Sequence, residues 1–298
     1  MPAGTPMENV QAANSFTTAH NDTYPFISPE KADLSGKSVF VAGASKGIGK
    51  ETALAMAEAG CSKIAIGARS DLSSVVDEIA KRAAKAGRAV PQVVSLHLDV
   101  TSEESVQSAA DKIGQAFGGA LDVLICNSGY LEPWVPLADS KPSEWWRTYD
   151  INVKGTYLLN RFFIPLLLKS ETKTSILTSS YGALGTRFGA SSYQSSKFAT
   201  VRLAEFIATE YAQQGLVCYA IHPGGIKTEL ALGMPEDMWG ILIDTLQLPA
   251  HTLVWLSKEH RLWLSGRFVS VNWDMEELES KKEQIEKDNL LKFRLIIS

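Results

Sequence analysis

Long hydrophobic runs are missing from this chain. No apolar stretch reaches the roughly 18 residues that cross a bilayer. The longest, around 162–168, contains Pro165 and is flanked by Arg161 and Lys169, so it reads as a core helix and argues against a membrane partner. Dense basic segments are missing too. With 29 Lys and Arg against 33 Asp and Glu, the formal charge is −4, and nothing offers a footprint for a phosphate backbone; nucleic acid is not an expected partner. Cysteine is scarce. Cys61, Cys126 and Cys218 stand singly in or beside apolar runs, without a CxxC or Cys/His spacing. No metal site or redox pair is expected from them, only buried, reduced thiols. The first 36 residues hold no arginine, no basic start and no apolar leader core, so a cytoplasmic location is expected.

What is present suits one large core: 45% of residues are apolar and 21% charged. Residues 1–36, rich in Ser, Thr, Asn and Pro, read as an irregular arm. An alternation then begins. Strands are predicted at 38–42, 63–66, 93–98, 121–126, 175–179, 216–221 and 267–271. Helices are predicted at 47–59, 73–86, 103–117, 143–169 and 192–213, and residues 273–298 form a charged tail that is helical over 275–287. Strands that alternate with helices make βαβ crossovers and a parallel sheet covered on both faces. The expected fold is α/β, a single doubly wound Rossmann-type domain over 37–272. Ligands bind such sheets beyond the carboxyl ends of the strands, and most of the informative residues fall there.

The first is the loop Gly43-Ala44-Ser45-Lys46-Gly47-Ile48-Gly49, between a strand and a helix. Glycines let the backbone approach a pyrophosphate, which the helix N-terminus holds through free N–H groups. The second strand runs out as Ile66-Gly67-Ala68-Arg69, without the acid that bonds a ribose 2′-hydroxyl in NAD enzymes. Arg69 and Lys46 can instead converge on a 2′-phosphate, so NADP(H) is the expected cofactor.

Together with the glycine loop, motifs in order along 37–272 resemble the short-chain dehydrogenase/reductase family, in its non-extended branch. Asp99-Val100 resembles the family's adenine-contacting pair. Cys126-Asn127-Ser128-Gly129 resembles its NNAG segment, with Cys and Ser in place of the first Asn and the Ala. Asn152, Ser180, Tyr193 and Lys197 match its catalytic tetrad, and Pro223-Gly224 with Ile226 and Thr228 its nicotinamide-side loop. The resemblance implies that Tyr193 and Lys197 also touch the cofactor, and that Asn152 holds a water relaying protons to Lys197.

The chemistry agrees with those roles. Reducing a ketone needs a hydride on carbon and a proton on the developing alkoxide. Tyr193 and Lys197 are one helical turn apart and share a face. An ammonium beside a phenol is expected to lower the tyrosine pKa from about 10 toward working pH. Ser180 would hold the carbonyl oxygen. The substrate pocket is expected between 130–137 and a lid at 229–248 that carries Leu232, Met234, Met238, Trp239, Ile241 and Leu242, with Leu184 and Phe188 adding to the wall. Met and Trp suit an apolar, irregular ligand. His222 reads as structural and Trp145-Trp146 as core or interface.

The expected activity is NADPH-dependent reduction of an apolar carbonyl substrate. An isomerase or cyclase using the same pocket is the alternative, separable by product analysis with and without NADPH. A cofactor-sensing binding protein is disfavoured by the complete acid–base group. The pattern Thr23-Tyr24-Pro25-Phe26-Ile27 and the stretch RFVSVNWDMEEL from Arg267 resemble filamentous-fungal members, many of which act in secondary metabolism. The family's habit of pairing through two long helices, here 143–169 and 192–213, implies a homodimer or homotetramer.

Overall fold

The computed structural model describes residues 8–295. Seven strands form one parallel sheet: β1 (Ser38–Ala42), β2 (Lys63–Ala68), β3 (Gln92–His97), β4 (Val123–Cys126), β5 (Thr174–Thr178), β6 (Val217–His222) and β7 (Arg267–Ser270). Their spatial order is β3-β2-β1-β4-β5-β6-β7. The order reverses between β1 and β4, the switch point where a crevice opens beyond the strand ends.

The helices are α1 (Glu8–Asn14), α2 (Gly47–Glu58), α3 (Ser73–Lys85), α4 (Glu103–Phe117), α5 (Pro142–Tyr149), α6 (Gly155–Leu167), α7 (Ser191–Glu210), α8 (Gln247–Lys258), α9 (Met275–Ser280) and α10 (Lys282–Lys287). α2 packs between α3 and α8, while α4 packs on α6 and α5 on α7. Central strands are buried on both faces, as their Val/Ile/Leu content requires. β3, at the sheet edge, is only partly covered and mixes Gln, Ser and His with its valines. All three cysteines are free and buried.

Local chemistry sets the helix ends. Ser102 accepts the amide of Ser105 (3.1 Å) to start α4, which stops at Gly118 in a left-handed conformation. Two elements differ from the sequence reading. The single helix expected at 143–169 is α5, a π-helical turn at Asp150–Lys154 that contains Asn152, and α6; such turns insert a residue without breaking the apolar stripe. α8 was not anticipated. Its run Leu248 to Ser257 is buried all round, which erases the amphipathic period.

The arm is not wholly irregular, since α1 lies within it, and Ile27 and Leu34 enter the core. It is clasped to the segment that follows β7. Ala19 bridges Trp273, and the indole N–H of Trp273 donates to Ala13 (2.6 Å). The carboxylate of Glu277 takes both the amide and the hydroxyl of Thr18 (2.9 and 2.6 Å), and His20 meets Asp274 at 2.8 Å. None of the helices in the described residues is long and apolar enough to cross a membrane.

Candidate active site

Two adjoining cavities open beyond the strand ends. The smaller, about 300 Å³, is lined by Gly43, Ser45, Lys46, Gly47 and Ile48 from the glycine loop. Ala68 and Arg69 close its far end, with Asp99, Val100, Asn127, Ser128, Gly129, Tyr193, Lys197, Pro223 and Thr228 around it. The larger, about 610 Å³, lies on the other side of Tyr193 and reaches from Ser180 to the 230–244 segment and the arm. Ile48, Tyr193, Pro223, Thr228 and Leu230 stand on the wall that the two share. Gly224 and Ile226 line only the larger cavity.

The glycine loop is shaped by close backbone approach. Gly43 sits at φ +87°, and a Cβ there would meet the Ser128 amide at 2.9 Å. At Gly49 a Cβ would lie 2.1 Å from the Gly43 carbonyl oxygen, which also accepts the Asn127 amide group at 3.0 Å. That carbonyl is turned inward, and only glycines permit it. Across the cavity, the Asp99 carboxylate is held by the Thr101 amide (2.9 Å) and hydroxyl (2.8 Å). The Thr101 amide, with a contribution from Arg69, keeps Asp99 below the usual carboxylate range. These residues fit a dinucleotide: a glycine cradle at a helix N-terminus, an acceptor near the adenosine end, and a cation beyond the β2 terminus. One expectation changes. Lys46 is ion-paired with Glu229 at the start of the lid, so it is not a bare cation beside Arg69.

Ser180, Tyr193 and Lys197 line the cavities on either side of their shared wall, whereas Asn152 is buried and lines neither. The Ser180 hydroxyl oxygen accepts the Gly182 amide (2.9 Å), which leaves its own proton to point elsewhere. Lys197, 3% exposed, donates to the Thr178 carbonyl (2.8 Å), with Nζ 5.6 Å from the centre of the Tyr193 ring. Asn152 accepts the Tyr130 amide (2.8 Å) and donates to the Tyr130 carbonyl (2.9 Å) and the Ser196 hydroxyl (3.0 Å). It therefore anchors the loop after β4 and ties it to α7 through Ser196.

The expected lowering of the tyrosine pKa is not what the site does. Burial pushes the Tyr193 phenol up to about 12; Ser180 opposes the rise and Glu132 adds to it. Burial also brings Lys197 down to about 8. Taking a charged form out of water outweighs the attraction that the spacing suggested. At neutral pH the phenol keeps its proton.

In the larger cavity Leu131 and Trp134 come from one expected wall, and Leu230, Met234, Met238, Ile241 and Leu242 from the other. Leu184, Phe188, Leu232 and Trp239 do not line it. Phe188 is 81% exposed and Leu232 points outward, whereas the Trp239 indole donates to the Met234 carbonyl (3.1 Å) and braces the lid from within. His222 does line the cavity; burial pushes it down to about 3, so it is neutral, and its Nδ1 accepts the Tyr181 amide (3.1 Å). Trp145 donates to the Ser191 hydroxyl (3.1 Å), whereas Trp146 is exposed.

Sequence reasoning gave no role to the arm, to Asn272, or to Asp244 and Glu132, although the last two fall inside the wall segments it expected. Val10, Asn14, Ala19 and Asn21 of the arm line the larger cavity, as do Asp244 and Asn272. Asp244 accepts the Gly225 amide (2.6 Å) and the Asn272 side chain (2.9 Å). Glu132, beside the first turn of α7, carried no motif at all.

Comparison with known proteins identifies the family. The family model for short chain dehydrogenases matches residues 37–239. A short chain dehydrogenase of Monascus purpureus is 49% identical over 95% of this chain and 96% of its own length. Another, from Monascus ruber, is 40% identical over 99% of both chains. Among solved structures, a short chain dehydrogenase from Shigella flexneri complexed with NADP superposes with a TM-score of 0.72. It is 29% identical and covers 81% of this chain and 99% of its own.

Proposed function

The chain belongs to the short-chain dehydrogenase family of oxidoreductases, and on that premise we propose that it reduces a ketone of an apolar, multi-ring substrate at the expense of NADPH. The observation that carries this reading is the place of Tyr193. It is the acid on the wall shared by a dinucleotide-shaped cleft and a larger apolar cavity, and it holds its proton at neutral pH.

Gly43, Gly47 and Gly49 would hold the pyrophosphate, Asp99 and Val100 the adenine, Arg69 the 2′-phosphate and Lys197 the nicotinamide ribose. Bound there, the dinucleotide supplies hydride. The substrate carbonyl oxygen lies against Ser180 and Tyr193. Ser180, its oxygen engaged by Gly182, donates its proton toward the oxygen as negative charge develops. Tyr193 then gives its proton to the alkoxide. Lys197, buried yet brought down to about 8, returns a proton to the phenolate. Asn152 fixes the loop that faces both groups.

Exposed Trp146, Tyr157, Phe198 and Phe206 on α5, α6 and α7 support pairing of two copies across those helices. A cytoplasmic location completes the reading.

The test is isotopic. With NADPH deuterated at C4 on the transferred face and a bicyclic ketone such as 1-decalone, the product alcohol should carry deuterium on the carbinol carbon. Product formed without deuterium and without loss of NADPH would favour an isomerase or cyclase instead.

A further inference from the structure

Glu132 is 5% exposed, and both of its hydrogen-bond partners are neutral. One carboxylate oxygen accepts the backbone N–H of Tyr193 (3.0 Å). The other accepts the hydroxyl of Thr148 on α5 (2.9 Å), itself fully buried. A buried carboxylate without a cation is costly to desolvate, so its position calls for a reason.

Part of the reason is the start of α7. Tyr193 is the third residue of that helix, where amides lack an intrahelical acceptor. The residue preceding the helix, Ala190, has no side chain with which to cap. Glu132 reaches in from the loop after β4 to do so, and a negative charge is favoured there by the helix dipole. Two residues earlier the same loop is pinned by Asn152 at Tyr130, and between them Leu131 lines the substrate cavity. One short segment thus ties Asn152, the cavity wall and Tyr193 together.

An exposed serine would cap a helix at less cost. What a serine lacks is charge. Around the Tyr193 ring stand Ser180 from the turn after β5 and Lys197 from α7. Neutral His222 at the end of β6 lines the same cavity, as do Arg187 and Asp244 from its far walls. Lys197 pulls toward the phenolate; Glu132 is the anion that pushes back.

Resting on the reductive reading above, we propose that Glu132 is a positioning residue of the reaction. It fixes the first turn of α7, and with it the place of the phenol, through the Tyr193 amide, and its charge opposes ionisation of that phenol.

Glu132→Gln separates the two roles. Glutamine can still accept the Tyr193 amide and donate to Thr148, but the charge is gone. A unit charge acting across a partly buried site is worth on the order of 1 kcal/mol, close to one pH unit. With 13C-ζ-labelled tyrosine, and the signal assigned by its loss in Tyr193→Phe, ionisation should begin about one pH unit lower in Glu132→Gln than in the wild type. The alkaline limb of kcat for 1-decalone reduction should move with it. Glu132→Ala should in addition speed hydrogen exchange at the Tyr193 amide and cut kcat by roughly tenfold or more, with NADPH affinity retained. Glu132→Gln should restore the exchange rate. An unchanged ionisation onset in Glu132→Gln overturns the proposal, as does wild-type amide exchange in Glu132→Ala. Both are read without turnover. Product formed without deuterium from NADPH labelled on the transferred face would instead bring down the reductive reading itself.

Discussion

Arg69 follows directly on β2 and closes the far end of the smaller cavity, whereas Lys46 is engaged by Glu229. On the proposed reading, Arg69 is then the cation whose removal tests cofactor choice. Hydrogen bonds to charged groups contribute about 1.5–3 kcal/mol, so Arg69→Ala should weaken NADPH by about ten- to a hundredfold. NADH affinity should hardly move. Titration calorimetry with both cofactors checks this, and NADH binding as tightly as NADPH to the wild type would refute it. At this scale the sequence was informative wherever a residue type is demanded by backbone geometry or bond-making: Gly43 and Gly49, Ser180, Tyr193, Lys197. It was silent on Glu132, whose role depends on a loop and a helix start some sixty positions apart. It misjudged the Tyr193 phenol because spacing along a helix shows a neighbour's charge but not the loss of water.

Between β6 and α8 the lid is short turns, Ala231–Gly233 and Glu236–Ile241. Two side chains there have separate duties. Met238 faces the cavity, so Met238→Ala should raise KM for a bicyclic ketone several-fold while leaving NADPH affinity intact. Trp239 braces the lid through the Met234 carbonyl, and Trp239→Phe removes that bond, worth about 1 kcal/mol. Limited proteolysis should then cut within 229–248 faster than in the wild type; equal cleavage would show that the brace carries no weight. Strands were legible from their apolar runs, and so were the amphipathic helices α3 and α4. α8 was hidden by its burial on all sides, and the π-helical turn at Asn152 by an apolar stripe that continues across it.

The arm meets the segment that follows β7 beside the larger cavity. α1 and the segment to Asn21 contribute to its lining, and the clasp to Asp274 and Glu277 holds them there. Val10→Trp should therefore raise KM for bulky ketones and leave the smaller cavity, which no described residue of the arm lines, unaffected. The clasp is also acid-sensitive. Burial works to raise Asp274, but the Glu277 amide and then His20 prevail and hold it below the usual carboxylate range. A carboxyl depressed by folding adds stability above its unfolded pKa of about 3.9, and that stability fades as pH falls through the folded value. Thermal melts between pH 6 and 3 should show the wild type losing its margin over Asp274→Asn below about pH 4; a margin unchanged across that range would contradict the assignment. None of this was visible in composition, since the arm's Ser, Thr and Asn read as irregular until their partners after β7 are known.

The most direct measurement is turnover of Tyr193→Phe beside its cofactor affinity. The substitution removes one proton and little volume. General acid–base groups contribute about 10²- to 10⁴-fold, so ketone-dependent oxidation of NADPH should fall by at least a hundredfold while the Kd for NADPH stays within about twofold of the wild type. Turnover at the wild-type rate in that variant would mean that the proton comes from elsewhere, and that the shared wall between the two cavities is not the site of the reaction.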